Sequence, residues 1–233
     1  MVFSSILYIL SHMHVVLSLC EKSRSPYPKK PCFENLCSVF SQHHIHVLGD
    51  DLSVEMVDYI KSFNVHLENK VRGKDKYMID KYNFCVDNFN SNDTIYIVED
   101  DYSHYSGSDI LIDEALQYAD YVTLYDHPDK YSQFIHPNPE LTDIGEKTVV
   151  FLTKSSHWKY TNSTTGTYAF KKQTLIEDYD IWMDQVVNNI WFYDYHGFIK
   201  LRSKNRKVAS CIPGRSSHMY PDVCHSPFYK SPI

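Results

Sequence analysis

Three consecutive carboxylates, Glu99, Asp100 and Asp101, follow a run of mostly branched apolar residues in the segment IYIVEDDYSH. Carboxylate oxygens are the hard ligands that Mg²⁺ and Mn²⁺ prefer, and such an ion is often shared with the phosphates of a substrate. An ion held in this way offsets the charge of a diphosphate leaving group. The segment therefore predicts a metal and nucleotide site, and a solvated acidic turn is the alternative.

A second acidic pair, Asp50 and Asp51, ends the short apolar run HIHVLGDDLS. A carboxylate in that place can accept a hydrogen bond from a ribose hydroxyl or from an N–H group of a base. The same residues also favour the start of a helix, because aspartate is stabilised there by capping and by the helix dipole. The two interpretations are compatible, and Ser53 is the predicted N-cap of a helix in VEMVDYIKSF.

The segment SSHWKYTNSTTGTY is dense in hydroxyl and amide side chains, although apolar runs flank it. Hydroxyl and amide groups can bond to sugar hydroxyls, and a flat aromatic ring can cover a sugar face. The candidate acceptor-binding residues are Trp158, Asn162 and Thr164. An exposed, threonine-rich pair of strands is the alternative.

Asp194 stands among aromatic residues in WFYDYHGF, ahead of a segment with helical spacing. Apolar surroundings raise the pKa of a carboxyl group toward the range that suits a general base, whereas a helix cap is the alternative. Near the end of the chain, IPGRSSHMYPD contains Arg215, which could meet a phosphate, and His218, which could complete a metal shell. A surface position is the alternative for His218, because the sequence contains 13 histidines.

The first half of the chain alternates short apolar segments with segments of helical spacing. The predicted strands are HVVLSLCEKS, HIHVLGDDLS, NVHLE and DTIYIVEDD, and the predicted helices are CFENLCSVF, VEMVDYIKSF and KDKYMIDKYNFCVDNF. This alternation predicts an α/β fold with a mostly parallel, doubly wound sheet. Ligands of such sheets bind where strands end at the carboxyl edge, so both acidic motifs are expected there.

The second half predicts a mixed organisation. The segments DILIDEALQYA, KKQTLIEDYDIWMDQVV and DYHGFIKLRSKN have helical spacing, and DYVTLYDH and KVASCIPG are predicted strands. KTVVFLTKSSHWKYT and STTGTYAF are predicted to be adjacent strands, and the tail RSSHMYPDVCHSPFYKSPI to be irregular. Residues 1–233 are predicted to form one domain, with a nucleotide-binding half to about residue 125 and an acceptor-binding, catalytic half from about residue 126.

Composition limits the classes of partner. The formal net charge of −6 argues against a broad nucleic-acid surface, which is normally basic. No uninterrupted apolar stretch reaches the roughly 18 residues of a stable membrane span. The apolar start contains His12 and His14 and has no Lys or Arg before its apolar run, so a buried first strand is favoured over a secretory signal. The six cysteines form no CxxC pair, which predicts free thiols in a reducing compartment such as the cytoplasm.

Taken in order, the strand end HVLGDD, the EDD motif, the aromatic-flanked Asp194 and the late His218 resemble the motifs of GT-A fold nucleotide-sugar glycosyltransferases. The segments YIVEDDY, DYVTLYDHPDKY, TKSSHWKYTNSTTGTYAF and IPGRSSHMYPD resemble a group of small bacterial and large-virus glycosyltransferase-like proteins related to glycosyltransferase family 2. The resemblance covers the chain from about Cys20 onward. It implies that a sugar moves from a nucleoside-diphosphate donor to an acceptor hydroxyl of a glycan, with Mn²⁺ or Mg²⁺ as cofactor. For a viral member, the compartment would be the host cytoplasm.

The resemblance also implies roles for the acids around the metal. Glu99 and Asp101 correspond to the outer positions of the DxD signature, and Asp101 would be the direct metal ligand, with His218 as a further one. Asp194 would be the catalytic base of an inverting reaction. The chain departs from the family pattern at two places, since Glu99 replaces the usual first Asp and YD replaces the usual ED pair at Asp194.

The donor would be held by a second group of side chains. By the same resemblance, Asp50 or Asp51 would contact the base or the ribose. Independently of the resemblance, Glu99 and Asp100 of the acidic motif and Arg215, which could meet a phosphate, are the other candidates for binding the nucleotide sugar. Two other functions fit the same motifs: a catalytically inactive nucleotide- or sugar-binding module of the same fold, and a nucleotidyltransferase, which also uses paired acids and a metal.

Overall fold

The computed structural model of the protein describes residues 13–22, 29–131, 145–188 and 193–219. The strands in these ranges are β1 (His14–Leu19), β2 (His44–Asp50), β3 (His66–Lys70), β4 (Thr94–Glu99), β5 (Tyr102–His104), β6 (Tyr121–Thr123), β7 (Val150–Leu152), β8 (His157–Thr161), β9 (Tyr168–Lys171), β10 (Val208–Ile212) and β11 (Ser216–His218). The helices are α1 (Lys29–Val39), α2 (Val54–Lys61), α3 (Lys74–Asn88), α4 (Asp109–Ala115), α5 (Lys172–Asn188) and α6 (Tyr193–Ser203), and a 3₁₀ turn spans Pro128–Lys130.

Nine of the described strands form one sheet in the order β3-β2-β1-β4-β9-β6-β10-β8-β7. The pairs β1–β2, β2–β3, β1–β4 and β6–β10 are parallel. The strand β9 runs antiparallel to both β4 and β6, and β8 runs antiparallel to β10 and β7. The predicted α/β class is therefore confirmed, with a parallel first half and a mixed second half.

Helices cover both faces of this sheet. Alternate residues of a strand point to opposite sides, so each strand contributes to two cores. Val15 and Leu17 of β1 belong to a core on one face, with buried residues of α1, α2 and α4. Val16 of the same strand belongs to the core on the other face, with residues of α3, α5 and α6. The continuous apolar run of β1 follows from burial on both sides.

The carboxyl ends of the first strands meet at one edge of the sheet. Glu99, the last residue of β4, pairs with Ser18 near the end of β1. Asp50 ends β2 beside Lys70 of β3. Both acidic motifs therefore lie at the carboxyl edge, as the alternation of strands and helices predicted.

Two predictions about the second half were wrong. KTVVFLTKSSHWKYT forms two antiparallel strands, β7 and β8, because Thr153 and Ser156 close a turn with a 3.0 Å backbone hydrogen bond. STTGTYAF does not lie beside them: its strand β9 is almost entirely buried and fills the centre of the sheet between β4 and β6.

The expected irregular tail also contains a strand. The strand β11 pairs antiparallel with β5 in a small second sheet, and this pairing places His218 opposite Tyr102. The segment RSSHM has no alternation of apolar and polar residues that would predict a strand. The strand forms because it pairs with β5, which is distant in the chain. Residues 220–233 lie outside the described part.

The remaining sequence predictions concern thiols and membranes. Cys20, Cys32, Cys37, Cys85 and Cys211 are free thiols, as predicted, and Cys224 lies outside the described residues. Within the described ranges, no helix combines the length and the apolar character that crossing a membrane requires. The question of a leader in residues 1–12 lies outside the described part of the chain.

Candidate active site

Asp100, the middle acid of the EDD motif, fixes the turn after β4. Its Oδ1 accepts a 2.6 Å hydrogen bond from Nζ of Lys29, at the start of α1, and its Oδ2 accepts a 2.8 Å bond from the backbone N–H of Cys20. Burial raises the pKa of Asp100, while Lys29 and the Cys20 N–H oppose that rise. Asp100 therefore has a structural role in this turn, and its contact with a nucleotide sugar stays a prediction.

Asp101 contacts His218, as the sequence prediction of a shared metal shell requires. Oδ2 of Asp101 lies 3.2 Å from Nε2 of His218, and the His218 ring stacks on Tyr102 with centroids 4.7 Å apart. Burial alone would raise the pKa of Asp101, but the hydrogen bond and charge of His218 outweigh it, so this pKa lies below its ordinary value. The antiparallel pairing of β5 with β11 creates the contact.

Glu99 lies beside this pair and is only partly exposed. Its backbone N–H donates to Oγ1 of Thr167 at 3.2 Å, which ties the end of β4 to the segment before β9. Burial, followed by repulsion from Asp101, raises the pKa of Glu99 to about 7, and the charges of Lys81 and His218 act in the opposite direction. Glu99 therefore belongs to the same charged cluster as Asp101 and His218.

Asp194 lies in the first turn of α6, where the backbone N–H of Tyr195 donates to its Oδ1 at 2.7 Å. Burial raises the pKa of Asp194 from 3.8 to about 6, although backbone N–H groups and the charges of Lys81 and Lys130 oppose that rise. A position at the start of a helix favours a carboxylate, which agrees with the alternative interpretation of Asp194 and does not exclude a role as base. Because Asp194 also acts on the charge of Glu99, the two acids lie within electrostatic reach of each other.

Close packing of α6 on α5 holds Asp194 in place. Gly197 lies against the ring of Trp182, and a Cβ atom on Gly197 would come within 2.4 Å of Cζ3 of that ring. Contacts this short do not occur between real side chains, so only glycine permits this approach. Gly197 thus allows α6 to pack closely on α5, and this packing positions Asp194 three residues earlier.

The three predicted acceptor residues are all buried. Trp158 is a fully buried core residue whose Nε1 donates to Oγ1 of Thr153 at 3.2 Å, so the expected exposed aromatic wall is not formed by Trp158. Its strand β8 lies between β10 and β7, and the indole packs into the core on one face of the sheet. Oδ1 of Asn162 accepts a 2.8 Å bond from Nζ of the buried Lys130. Thr164 is buried, and its Oγ1 has no hydrogen-bond partner among the described residues.

Asp50 and Asp51 have different surroundings. Oδ1 of Asp50 accepts bonds from the backbone N–H groups of Arg72 and Gly73 at 2.7 and 3.3 Å, which fixes the loop after β3. Asp51 has a left-handed backbone, φ 52°, and forms an exposed ion pair with Lys22. The predicted N-cap is confirmed, since Ser53 accepts from the backbone N–H of Met56 at 3.2 Å.

Arg215 lies on the loop between β10 and β11. Its guanidinium donates to the backbone carbonyl of Ser106 at 3.1 Å and lies 5.8 Å from the centre of the Tyr105 ring. The structure therefore places Arg215 against the turn after β5, and its contact with a phosphate stays a prediction.

Sequence reasoning missed the buried lysines around the acids. Lys29, Lys81 and Lys130 are at most 9% exposed. Lys81 carried a usable signal, because it lies three residues after Met78 and four before Cys85, both buried on the same face of α3. A lysine in such a row is expected to point inward with a charged partner nearby.

The donor set at the site suits a divalent ion in part. A carboxylate and an imidazole, Asp101 and His218, stand in contact. A carboxylate is a ligand that Mg²⁺ and Mn²⁺ prefer, whereas an imidazole nitrogen suits a transition-metal ion better than Mg²⁺. Among the residues that the structure describes, no group of three or more His, Cys, Asp or Glu side chains is arranged to hold a metal. In the part of the chain that the structure describes, a divalent ion at this pair would have two protein ligands, and the phosphates of a donor would have to supply others.

No family model and no curated protein matches the sequence. Solved structures do match it. An active-site mutant of LgtC, a galactosyltransferase, is 10% identical, with a TM-score of 0.50 over 85% of this chain and 72% of that chain. The chain has the GT-A type of fold. This confirms the fold implied by the resemblance, whereas the relation to glycosyltransferase family 2 stays a prediction.

Two further solved structures are similar to this chain. The 4-diphosphocytidyl-2C-methyl-D-erythritol synthase of Anaerococcus prevotii is 10% identical, with a TM-score of 0.51 over 86% of this chain and 88% of that chain. The glycosyltransferase GlyE of Streptococcus pneumoniae is 12% identical, with a TM-score of 0.49 over 86% of this chain. This chain spans only 45% of the length of GlyE.

Proposed function

We propose that the protein is a glycosyltransferase that moves a sugar from a nucleoside-diphosphate donor to an acceptor hydroxyl, for which we favour a glycan. The observation that carries this proposal is the convergence of Glu99, the Asp101–His218 pair and Asp194 at the carboxyl edge of the sheet. These residues come from β4, the turn after it, α6 and β11. The GT-A type of fold supports the proposal, because glycosyltransferases such as LgtC share it.

Asp194 is the proposed catalytic base. A carboxyl group with a pKa of about 6 is charged at neutral pH and yet more basic than an ordinary aspartate. It would accept the proton of the acceptor hydroxyl as the oxygen attacks the anomeric carbon, and the nucleoside diphosphate would leave from the opposite side. This in-line displacement inverts the configuration at that carbon.

Asp101 and His218 are the proposed ligands of a divalent ion, Mn²⁺ or Mg²⁺. Such an ion, when bound, offsets the negative charge that develops on the leaving diphosphate. The protein's own contribution is to hold the two ligands together through the β5–β11 pairing and to keep Asp101 ionised. Glu99 would bind on the donor side of the same cluster.

The acceptor would approach from the segment 161–167. Asn162 accepts a hydrogen bond from Lys130, and the charge of Lys130 lowers the pKa of Asp194. The segment 161–167 is therefore linked to the proposed base through Lys130. The buried Oγ1 of Thr164 lacks a hydrogen-bond partner among the described residues and could bond to a sugar hydroxyl that reaches it.

A nucleotidyltransferase is the second candidate, because the Anaerococcus synthase matches this chain over most of both chains. The products separate the two functions, since glycosyl transfer releases a nucleoside diphosphate whereas nucleotidyl transfer releases pyrophosphate. An inactive binding module would bind nucleotide sugars and release neither.

The test is a screen of nucleotide sugars with Mn²⁺ present, by thermal stabilisation and by product analysis. A donor that binds the native state raises its melting temperature. Release of nucleoside diphosphate by the wild-type protein, lost in Asp194→Asn with donor binding kept, would support the proposal. Release of pyrophosphate, or equal turnover by Asp194→Asn, would contradict it.

A further inference from the structure

His218, the last residue of β11, depends on its neighbours for the direction in which its ring points. Rotation about the bond that carries a histidine ring is only weakly restricted, so torsional preference alone does not orient the imidazole. The His218 side chain is 20% exposed, and its Nε2 lies 3.2 Å from Oδ2 of Asp101. An imidazole that shares a metal ion with Asp101 needs a neighbouring group that holds its ring in this direction.

The ring of Tyr102 gives the imidazole a flat support. Tyr102 lies directly opposite His218 in the antiparallel pair of β5 and β11. Directly opposite residues of such a pair carry their side chains next to each other on one face. The two ring centres are 4.7 Å apart, and the ring planes differ by only 5°. The stack therefore follows from the register of the small sheet, and it confines the imidazole to one plane.

Tyr102 is itself fixed by its own contacts. It is only 1% exposed, and its ring packs edge to face with Tyr125, with centres 5.5 Å apart and planes at 86°. Its hydroxyl shares a hydrogen bond with the hydroxyl of Thr165, in the segment before β9. The ring of Tyr125 also meets the ring of His218, with centres 6.2 Å apart and planes at 82°. The support under the imidazole is therefore a buried and tightly packed ring.

We propose that Tyr102 is a positioning residue that holds the His218 imidazole with Nε2 toward Asp101, in place to bind a divalent ion beside that carboxylate. This inference rests on the proposed glycosyltransferase function and its metal site. A ring nitrogen binds a metal through a lone pair in the plane of the ring, whereas stacking uses the face of the ring. Support by Tyr102 and binding by His218 are therefore compatible, and Tyr102 itself touches neither substrate nor ion.

Tyr102 would then influence which ion binds. An imidazole nitrogen suits a transition-metal ion such as Mn²⁺, whereas Mg²⁺ prefers oxygen ligands. If the His218 ring turned away, Mn²⁺ binding would weaken more than Mg²⁺ binding, because Asp101 would still offer its carboxylate. A general loss of structure around the site would weaken both ions alike, so a comparison of the two ions separates positioning from a structural role.

The test titrates Mn²⁺ alone into the substrate-free protein at one fixed pH. Histidine labelled with carbon-13 allows the His218 ring to be followed by NMR, because the paramagnetic ion broadens the signals of nearby nuclei, and His218→Gln assigns them. Tyr102→Leu removes the aromatic ring, and Tyr102→Phe keeps the ring without the hydroxyl. Tyr121→Leu, at a buried tyrosine that packs on Phe198 in the other core, is the matched control.

We expect Tyr102→Leu to weaken Mn²⁺ binding about 10-fold or more, the usual loss when an orienting partner of a metal ligand is removed. Binding of Mg²⁺, measured by competition with Mn²⁺, should weaken clearly less. Tyr102→Phe should bind Mn²⁺ as the wild type does, because its ring restores the stack. Tyr121→Leu should also keep the wild-type affinity.

Unchanged Mn²⁺ affinity in folded Tyr102→Leu overturns the inference, and so does an equal loss for Mg²⁺ or an equal loss in Tyr102→Phe or Tyr121→Leu. If Tyr102→Leu does not fold, Tyr102→Met is measured in the same way and judged by the same results. In the wild-type protein, the Tyr102 ring current should shift the His218 ring protons upfield. The lack of a nuclear Overhauser contact between the two rings would overturn the inference without any variant.

Sugar transfer is judged separately, by the released product. Release of nucleoside diphosphate by a protein whose Tyr102→Leu variant keeps full Mn²⁺ affinity would support the transfer and contradict the role of Tyr102. Release of pyrophosphate, together with weaker Mn²⁺ binding in Tyr102→Leu, would contradict the transfer and support the link between Tyr102 and His218. If Mn²⁺ leaves the His218 signals of the wild type unbroadened, both the ligand assignment and the role of Tyr102 are wrong.

Discussion

Oδ2 of Asp101 lies 3.2 Å from Nε2 of His218, although one residue follows β4 and the other ends β11. The contact exists because β5 and β11 pair antiparallel and set His218 opposite Tyr102. It brings an imidazole nitrogen from the far end of the described chain to the acidic turn. The proposed metal site therefore depends on a small two-stranded sheet outside the main one.

Asp101→Asn should abolish sugar transfer and the Mn²⁺-dependent binding of nucleoside diphosphates, because the carboxylate charge is lost while the shape is kept. Isothermal titration calorimetry with UDP, GDP, CDP, ADP or dTDP, in Mn²⁺ and in EDTA, measures the binding. Asp58→Asn, at an exposed acid of α2, is the control and should bind as the wild type does. Full activity of Asp101→Asn would show that the ligand assignment is wrong.

Asp100→Asn should lower the free energy of unfolding by about 3 kcal/mol, because it leaves Lys29 buried without its charged partner. Urea denaturation followed by circular dichroism measures the change. Asp51→Asn is the matched control, since its ion pair with Lys22 is exposed and asparagine tolerates the left-handed backbone. Equal losses in the two variants would refute the structural role assigned to Asp100.

Acid should destabilise the histidine cluster on β1, β2 and β3. Burial, followed by the charges of His14, His66 and His44, lowers the pKa of His46 to about 4 from an ordinary 6.5. The unfolded chain therefore binds a proton between these values that the folded protein does not, and stability falls as pH falls from 6.5 toward 4. The full span corresponds to at most about 3 kcal/mol.

His46→Gln should flatten this dependence, and urea melts at intervals between pH 7 and pH 4 test it. The exposed His157 on β8 supplies the control, and His157→Gln should keep the wild-type slope. If His46→Gln and the wild type lose stability in parallel, His46 does not cause the acid sensitivity.

Gly197→Ala should destabilise the protein by about 1–3 kcal/mol, because the added methyl group would overlap the Trp182 ring. At an ordinary helix position the same change stabilises. Combined with Trp182→Leu, the substitution should cost less than it does alone, and a double-mutant cycle of unfolding free energies measures the difference. A stabilising effect of Gly197→Ala alone would show that α6 does not pack on α5 as described.

The sequence predicted the parts of the fold that follow from local pattern. The branched residues of β1 and β4 and the cap at Ser53 are such signals, and they located the acidic motifs at the carboxyl edge. The position of β9 in the middle of the sheet could not be predicted, because strand order depends on contacts between distant segments.

The sequence indicates which acidic residues are candidates for the site, but it does not indicate which side chains bond to them. The strand end at Glu99 and the aromatic residues around Asp194 made Asp101 and Asp194 candidates, and their roles stay predictions. The bond between Asp100 and Lys29 could not be predicted, because Lys29 is distant in the sequence. A hydroxyl-rich segment suggests a sugar-binding surface whether or not its residues are exposed. For this reason Trp158 was expected to face a sugar, whereas the structure buries it in the core.

The proposed reaction is the transfer of a sugar with Asp194 as base. The most direct measurement is to incubate the wild-type protein and Asp194→Asn with a stabilising nucleotide sugar and Mn²⁺, and to identify the released nucleotide and the anomeric configuration of the product. We expect nucleoside diphosphate and an inverted product from the wild type, with turnover lower by about 10²–10⁴-fold in Asp194→Asn. Pyrophosphate as the product, or undiminished turnover in Asp194→Asn, would contradict it.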